Sequence, residues 1–238
     1  MEKLPFLDQR LLEEAASSPQ ELQSFIQRRL QHEPVAKIIG KKGFWKDDFI
    51  VNKDVLDPRP DSETLIEAVL EQYPNRTMPL RFLDLGTGSG CLLLSLLQEY
   101  PNATGMGIDI SPKAIEITDK NKKNQNAVFM QKDMCSDLSD LGTFDIMISN
   151  PPYIPTAEIE TLEKDVKDYD PLLALDGGID GLDFYRVLAK KHLAPRLFIE
   201  IGINQEQQII PLFESEGWQF VKSWKDLGGI TRILCFKV

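Results

Sequence analysis

The sequence predicts an α/β fold: a doubly wound, mostly parallel seven-stranded sheet with a C-terminal antiparallel hairpin and a small helical N-terminal subdomain. Strand-like apolar runs alternate with helical segments from residue 80 onward, which is typical of a parallel sheet with helices on both faces. Only a few residues, Asp226 to Ile230, separate the last two runs, and so short a connection favours an antiparallel pair. Amphipathic segments before residue 34 predict the helical subdomain.

Three segments divide the chain of 238 residues. Residues 1–33 are expected to form two short amphipathic helices, the second starting at a capping box, Ser18 to Glu21. Residues 34–78 predict a connecting segment with a hairpin near Ile50 and Val51, a helix over 61–73 and a polar linker. Residues 79–238 are expected to form the main α/β domain.

Seven strands and three helices are predicted in the main domain. The strands cover residues 80–85, 104–110, 127–131, 144–149, 197–202, 218–224 and 231–238. The helices cover residues 91–100, 111 to about Asn124, and 205–216.

Composition limits the class of protein. The 42% hydrophobic and 27% charged residues are ordinary for a soluble globular protein. A net charge of −10 argues against extensive phosphate contacts, so direct nucleic-acid binding is not expected. Three dispersed cysteines and two histidines argue against a metal site or disulfides, and the thiols are expected to be buried in a reducing cytosol. Without a signal-like or membrane-length apolar segment, we expect a cytoplasmic protein with no membrane contact.

A glycine-rich loop follows the first strand of the main domain and precedes a helix. Its candidate ligand-binding residues are Asp84, Gly86, Thr87, Gly88, Ser89 and Gly90. Glycines let the backbone turn tightly and approach a ligand, and ligands bind at the carboxyl edge of such sheets. The dinucleotide fingerprint G-x-G-x-x-G fails because Cys91 stands at its last glycine, and no Lys-Ser/Thr pair marks a phosphate loop. The loop therefore predicts a nucleoside site.

Acidic residues at the ends of the next two strands extend this site. Asp109, followed by Ile110, ends the second strand, where a carboxylate can accept both hydroxyls of a ribose. Asp133 and Met134 follow the third strand and are expected beside the amine and the ring of an adenine. The alternative interpretation is a set of glycine turns and solvated acids without a ligand.

A second motif, Asn150-Pro151-Pro152-Tyr153, follows a buried strand at the same edge. Two prolines remove backbone donors, which leaves the local carbonyls free. The Asn150 side-chain oxygen and the Pro151 carbonyl can accept both N–H bonds of a planar –NH₂ group, and Tyr153 supplies an aromatic face. An amide nitrogen is a poor nucleophile, so alignment and desolvation must supply much of the rate of its methylation. A proline-rich turn that caps a strand is the alternative.

Together, the glycine loop and the Ser-Asn-Pro-Pro-Tyr segment resemble the amino-methyltransferases, which act on NH₂ groups of DNA bases or protein glutamines. Further segments narrow the resemblance to HemK-type release-factor glutamine methyltransferases. They are Pro34 to Gly40, Phe44-Trp45, Leu56 to Leu65, Tyr169 to Leu175, Gly177 to Leu182, Ile199 to Gly202 and Lys225 to Arg232. The resemblance spans about residues 20–238.

The resemblance implies a class I methyltransferase fold, S-adenosylmethionine as cofactor, S-adenosylhomocysteine as product, and no metal. It implies as substrate the side-chain amide (N5) of the glutamine in the Gly-Gly-Gln loop of a peptide chain release factor. Asn150, Pro151, Pro152 and Tyr153 inherit the substrate role, and Gly86 to Gly90, Asp109 and Met134 the cofactor role. The resemblance also implies a wall over the cofactor, formed by Arg59, Pro60 and Glu63.

Two other methyltransferase functions use the same motifs. Ribosomal-protein glutamine methyltransferases tend to read Arg-Ser-Pro where this chain has Arg59-Pro60-Asp61, which favours the release factor. A DNA adenine-N6 methyltransferase would act on a flipped base, but neither the charge of −10 nor the length provides a DNA-binding surface. A binding module without activity is disfavoured because both motifs are intact.

Overall fold

The computed structural model describes residues 4–123 and 125–238. Its strands are β1 (Lys41–Phe44), β2 (Asp47–Ile50), β3 (Arg81–Leu85), β4 (Thr104–Asp109), β5 (Ala127–Gln131), β6 (Ile146–Ser149), β7 (Arg196–Glu200), β8 (Gln219–Lys225) and β9 (Thr231–Lys237). Its helices are α1 (Phe6–Ala15), α2 (Pro19–Leu30), α3 (Val35–Ile39), α4 (Glu63–Gln72), α5 (Cys91–Glu99), α6 (Pro112–Asn121), α7 (Lys164–Lys167), α8 (Asp183–Leu188) and α9 (Glu206–Ser215).

Seven strands form one sheet in the order β5-β4-β3-β6-β7-β9-β8. The first five are parallel, and β9 pairs antiparallel with both β7 and β8. The predicted fold class and the C-terminal hairpin are therefore confirmed. The chain runs outward from β3 through β4 to β5 and then returns to β6 on the other side of β3. The strand order thus reverses between β3 and β6, and ligands bind in open α/β sheets at such a reversal.

Both faces of the sheet are buried, which explains why its central strands are almost continuously apolar. Alternate side chains point to opposite faces. Phe82 and Ile148 pack in the cluster that includes α4 and α5, whereas Leu83 and Met147 pack in the cluster that includes α8 and α9. The doubly wound arrangement follows from this two-sided burial.

The N-terminal helices α1 and α2 pack against each other and against α3, with Leu12 fully buried. The Ser18 hydroxyl accepts the backbone N–H of Glu21 at 3.2 Å, as the capping-box prediction requires. The Glu21 carboxylate, however, accepts the N–H of Ser17 rather than that of Ser18. At the end of α2, the Tyr169 hydroxyl donates to the Gln31 carbonyl at 3.0 Å. This bond connects the helical subdomain to the loop region beyond β6.

The predicted hairpin before the main domain is formed by β1 and β2. The Asn121 side chain accepts the N–H of Ile50 and donates to the carbonyls of Ile50 and Ser89. This one amide therefore holds the hairpin against α6 and the glycine loop. The helix α6 ends at Asn121, and the predicted end near Asn124 lies outside the described residues.

Some boundaries and one burial prediction differ from expectation. Strand β6 begins at Ile146 rather than at residue 144, because the N–H of Phe144 donates to Leu193 outside the sheet. Cys235 is buried, but Cys135 lies exposed in the loop after β5, so the expected burial of all three thiols is wrong. The short helices α3, α7 and α8 were not predicted. Within the described ranges, no helix combines the length and apolarity needed to cross a membrane.

Candidate active site

Two adjoining cavities open at the carboxyl edge of the sheet. The first, here called the loop cavity, has a volume of about 280 Å³ and lies against the glycine loop. The second, here called the tyrosine cavity, has a volume of about 320 Å³ and includes Tyr153 in its wall. Four residues line both cavities: Leu56, Arg59, Asn150 and Ala174. The two predicted motifs therefore meet at one place.

Backbone hydrogen bonds hold the glycine loop against the end of β4. Gly86, Gly88 and Gly90 have φ angles of 76°, 56° and 80°, a region that favours glycine. The N–H groups of Gly86 and Thr87 both donate to the Ile108 carbonyl at 2.9 Å. These bonds fix the loop against the sheet, and Gly86, Thr87, Gly88 and Ser89 line the loop cavity.

Asp84 lies beneath the loop and does not line either cavity. It is 1% exposed and accepts the Thr87 hydroxyl at 2.7 Å, while its Oδ1 has no partner among the described residues. Burial raises the pKa of Asp84 to about 7, against the lowering effect of the Thr87 bond. Its observed contact is with Thr87 of the glycine loop, and this bond stabilises the loop.

Asp109 lines the loop cavity, where the sequence predicts a ribose-binding acid. Its two carboxylate oxygens accept the N–H groups of Gly88 and Ser111, each at 2.9 Å. Burial raises the pKa of Asp109, and these two backbone bonds oppose that rise. A carboxylate oxygen has two lone pairs, so each oxygen retains one acceptor position for a hydroxyl.

The loop cavity also has apolar lining residues, which suit a flat ring. Ile110 and Met134 both line it, and half of the Ile110 surface is exposed. Asp133 is beside them and accepts the N–H of Cys135 at 2.8 Å. An adenosine can be bound by a site with these features: a glycine turn, an acceptor for ribose hydroxyls, apolar walls and an adjacent acid. The described residues therefore fit S-adenosylmethionine.

Asn150 follows β6 and stands where the two cavities meet. Its Nδ2 group donates to the Ser62 hydroxyl at 3.2 Å. This bond assigns the nitrogen side of the amide and leaves Oδ1 as the free acceptor. The Pro151 carbonyl also receives no backbone or side-chain hydrogen bond from the described residues. Two unused acceptors thus lie next to each other in the sequence, and the first of them, on Asn150, is at the cavity junction.

Tyr153 is placed by the segments that pack around it. Its carbonyl accepts the Gln205 side-chain amide at 3.0 Å, and the next residue, Ile154, bridges to Asp176. Burial raises the pKa of the Tyr153 hydroxyl to about 12, so the ring remains neutral at physiological pH. Pro152 lines the loop cavity, whereas Pro151 is buried and lines neither.

The three residues expected in the wall over the cofactor separate in the structure. Arg59 lines both cavities and pairs with Asp170 at 2.6 Å, and Pro60 lines the tyrosine cavity alone. Glu63 lines neither, because its carboxylate accepts the backbone N–H of Trp45 at 2.7 Å. Gly90, at the start of α5, is also outside both linings and packs against Thr118.

A buried ion network that sequence reasoning missed supports this wall. Lys37 is 3% exposed at its side chain, and its Nζ lies 2.8 Å from Asp57 and 3.1 Å from Asp170. It also donates to the carbonyls of Asn52 and Val55. The available signal was that Lys37, Asp57 and Asp170 all lie inside family-like segments.

Comparison with known proteins identifies the family. The methyltransferase small domain family matches residues 53–168. A release factor glutamine methyltransferase of Rhodospirillum rubrum is 45% identical over 90% of this chain and 68% of its own length. Another, of Caulobacter vibrioides, is 43% identical over 90% of this chain and 76% of its own.

A solved structure supports the fold independently. The hMettl16 catalytic domain has a TM-score of 0.64 at 14% identity, with 79% of this chain and 74% of that chain covered. Identity this low shows the fold alone. The two bacterial relatives carry the stronger similarity, and the chain belongs to the family of release factor glutamine methyltransferases.

Proposed function

We propose that this protein transfers a methyl group from S-adenosylmethionine to the side-chain amide nitrogen of a glutamine in a peptide chain release factor. One observation carries the proposal. Asn150 lies at the junction of the two cavities, with its Nδ2 bound to Ser62 and its Oδ1 free. An acceptor at that junction can hold an –NH₂ group beside the cofactor.

The residues of each cavity have distinct tasks in this reaction. In the loop cavity, Asp109 accepts ribose hydroxyls while Ile110 and Met134 contact the adenine. When bound, S-adenosylmethionine supplies a methyl group on a positively charged sulfur. Asn150 Oδ1, at the junction, and the carbonyl of the following residue, Pro151, accept the two N–H bonds of the substrate, which directs the nitrogen lone pair out of the amide plane. Such alignment provides much of the rate when the nucleophile is weak.

The tyrosine cavity suits an uncharged side chain. Its wall is largely apolar, with Leu56, Ile154 and Val166 among the lining residues. Asn150 and Tyr153 add uncharged polar groups. The ionisable residues of the lining are Glu200, Arg59, which is paired with Asp170, and Asp61, which is paired with Arg232. A glutamine side chain of the Gly-Gly-Gln loop fits this combination, because its amide is uncharged and its methylenes are apolar.

The names of the relatives favour a release factor over the two other substrates. Both bacterial relatives are named for release factor glutamine methylation. Neither a ribosomal protein nor a DNA adenine has a specific observation in its favour. The protein is therefore expected to act in translation termination, in the cytoplasm and without a metal.

A direct assay tests this assignment. Tritiated S-adenosylmethionine is offered with a release factor, a ribosomal protein and DNA in parallel. We expect label in the release factor alone, and none when its Gly-Gly-Gln glutamine is replaced by glutamate, because the nucleophilic nitrogen is then gone. Label in the ribosomal protein or the DNA, with none in the release factor, would refute the proposed substrate.

Asn150→Ala tests the mechanism in the same assay. The variant should keep its affinity for S-adenosylmethionine while kcat falls by about 10²–10³-fold, as on loss of one positioned hydrogen-bonding group. Asn150→Asp is the matched control, since a carboxylate still accepts hydrogen bonds at a similar size. It should keep more activity than the Ala variant. Full kcat in Asn150→Ala would show that the motif only caps a strand.

A further inference from the structure

Glu200 is a buried acid at the carboxyl edge for which the proposed mechanism has no use. It is the last residue of β7, and the neighbouring strand β6 ends at Ser149. The register pairs Ser149 with Ile199, so Asn150 and Glu200 follow at the same level. Neighbouring strands lie about 4.8 Å apart. The register thus brings the acid to the side of Asn150.

The Glu200 side chain lines the tyrosine cavity and is almost completely buried, at 2% exposure. Its Oε2 atom has no hydrogen bond of normal geometry with any described residue. Burial raises the pKa of Glu200 to about 7, while the adjacent Ser62 hydroxyl, the Arg232 charge and the Asn150 amide lower it. A buried acceptor is therefore left with two neutral donors, Ser62 and Asn150, close to it.

The orientation of the Asn150 amide depends on these neighbours. An asparagine amide can present either its oxygen or its nitrogen in a given direction, and the surrounding hydrogen bonds select one. Nδ2 of Asn150 donates to the Ser62 oxygen, so the Ser62 proton must point to another acceptor. Glu200 is the carboxyl group next to both. Hydrogen bonds in series, from the Asn150 amide through the Ser62 hydroxyl to the Glu200 carboxylate, also polarise one another.

We propose that Glu200 is a positioning residue of the methyl transfer, holding the Asn150 amide with Oδ1 toward the substrate –NH₂ through Ser62 and by direct attraction of Nδ2. The inference rests on the proposed function for its catalytic consequence. A carboxylate at this position also disfavours a substrate glutamate, because the two like charges would repel each other.

The proposal has a pH consequence with a definite sign. Below its pKa Glu200 carries a proton, which it donates instead of accepting one, and the selection of the amide orientation is lost. Activity should therefore rise as the pH increases through about 7. Asp84 has a pKa in the same range, so the profile must be compared with a variant. The other titratable groups facing Glu200 are Asp61, Cys91, Tyr153, Tyr185 and Arg232.

A double-mutant cycle on the full chain separates positioning from other roles. Glu200→Gln should lower kcat by about 10–100-fold, the scale of a small misplacement of the reacting groups. The variant should keep its affinity for S-adenosylmethionine and its thermal stability near pH 7 close to wild type. Its activity should no longer rise with pH near 7. In the Asn150→Asp background the same change should cost nothing or increase kcat, because a carboxylate needs no orientation and a like charge is removed. Equal loss in both backgrounds would overturn the proposal.

A spectroscopic measurement tests the contact without any methyl acceptor. In ¹⁵N-labelled protein, the side-chain amide signal of Asn150 is assigned by its absence in Asn150→Asp. It should shift with pH with a midpoint near 7, and Glu200→Gln should abolish the shift. Glu200→Asp, which keeps the charge on a shorter side chain, should restore part of it. An unchanged shift in Glu200→Gln would refute the proposal, whereas a release factor that is not methylated would refute only the proposed function.

Discussion

Gly90→Ala provides a quantitative test of the glycine loop. Gly90 precedes α5 with a φ of +80°, and an added Cβ would lie 2.5 Å from Thr118 Cγ2 and 3.2 Å from Leu94 Cδ1. A left-handed conformation costs an alanine about 1–2 kcal/mol. Forcing a methyl group into a packed site costs about 1–3 kcal/mol more. The free energy of unfolding should therefore fall by about 2–5 kcal/mol.

Gly229→Ala is the matched control. Gly229 has the same φ of +80°, but a Cβ there would meet no atom within 4 Å. Only the backbone cost applies, so the difference between the two variants should equal the steric part, about 1–3 kcal/mol. Thr118→Ser removes Cγ2 and keeps the hydroxyl that donates to Gly88 and Ala114. Combined with Gly90→Ala, it should restore about 0.5–3 kcal/mol as a coupling energy.

Urea denaturation of the wild type, the three single variants and the double variant measures these differences as shifts of the midpoint at constant m. Equal losses in Gly90→Ala and Gly229→Ala would refute the steric reasoning. So would the absence of coupling between Gly90→Ala and Thr118→Ser. In either case, close packing against α6 would not be the reason why residue 90 has to be glycine.

Three further predictions concern charges. Asp109→Ala should weaken S-adenosylmethionine binding by about 1.5–3 kcal/mol, since it removes a charged acceptor, and unchanged affinity in calorimetry would remove Asp109 from the site. Lys37→Met should destabilise the protein by about 3–5 kcal/mol, because it leaves Asp57 buried without its cation and Asp170 with Arg59 alone. Lys41→Met, at an exposed pair with Asp48, should cost less than about 1 kcal/mol in the same denaturation experiment. Burial raises the pKa of Asp84 to about 7, so its contribution to stability is complete below about pH 4, the unfolded pKa, and is lost as the pH rises toward 7. Asp84→Asn should flatten this part of the curve of stability against pH, and an unchanged slope would contradict this prediction.

The meeting of the two motifs was predictable because it follows from the fold class. Residues that follow parallel strands gather at one edge of the sheet, so Gly86 and Asn150, after β3 and β6, had to lie near each other. Asp109, at the end of β4, was placed by the same rule. Strand periodicity and the position of a motif in the chain are sufficient for this part of the site.

Contacts between segments distant in sequence were not predictable in this way. Ser62 reaches Asn150 across 88 residues, and only the packing of the segment before α4 on the sheet edge brings them together. Glu63 follows Ser62 directly, yet its carboxylate turns to the N–H of Trp45. Adjacent residues of one motif thus face different partners. The helices α3, α7 and α8 have four to six residues, too few for a hydrophobic period to be visible.

The lining of the two cavities supports the proposed role of Asn150. A side chain that holds the acceptor nitrogen next to the cofactor is expected to line both cavities, and four residues do so. Leu56 and Ala174 have no polar side-chain atom, and the Arg59 guanidinium only donates hydrogen bonds and is paired with Asp170. Asn150 is therefore the one side chain of the four that can accept an N–H bond. Leu56 and Ala174 place apolar surface beside it, and a hydrogen bond is stronger where the local dielectric is low.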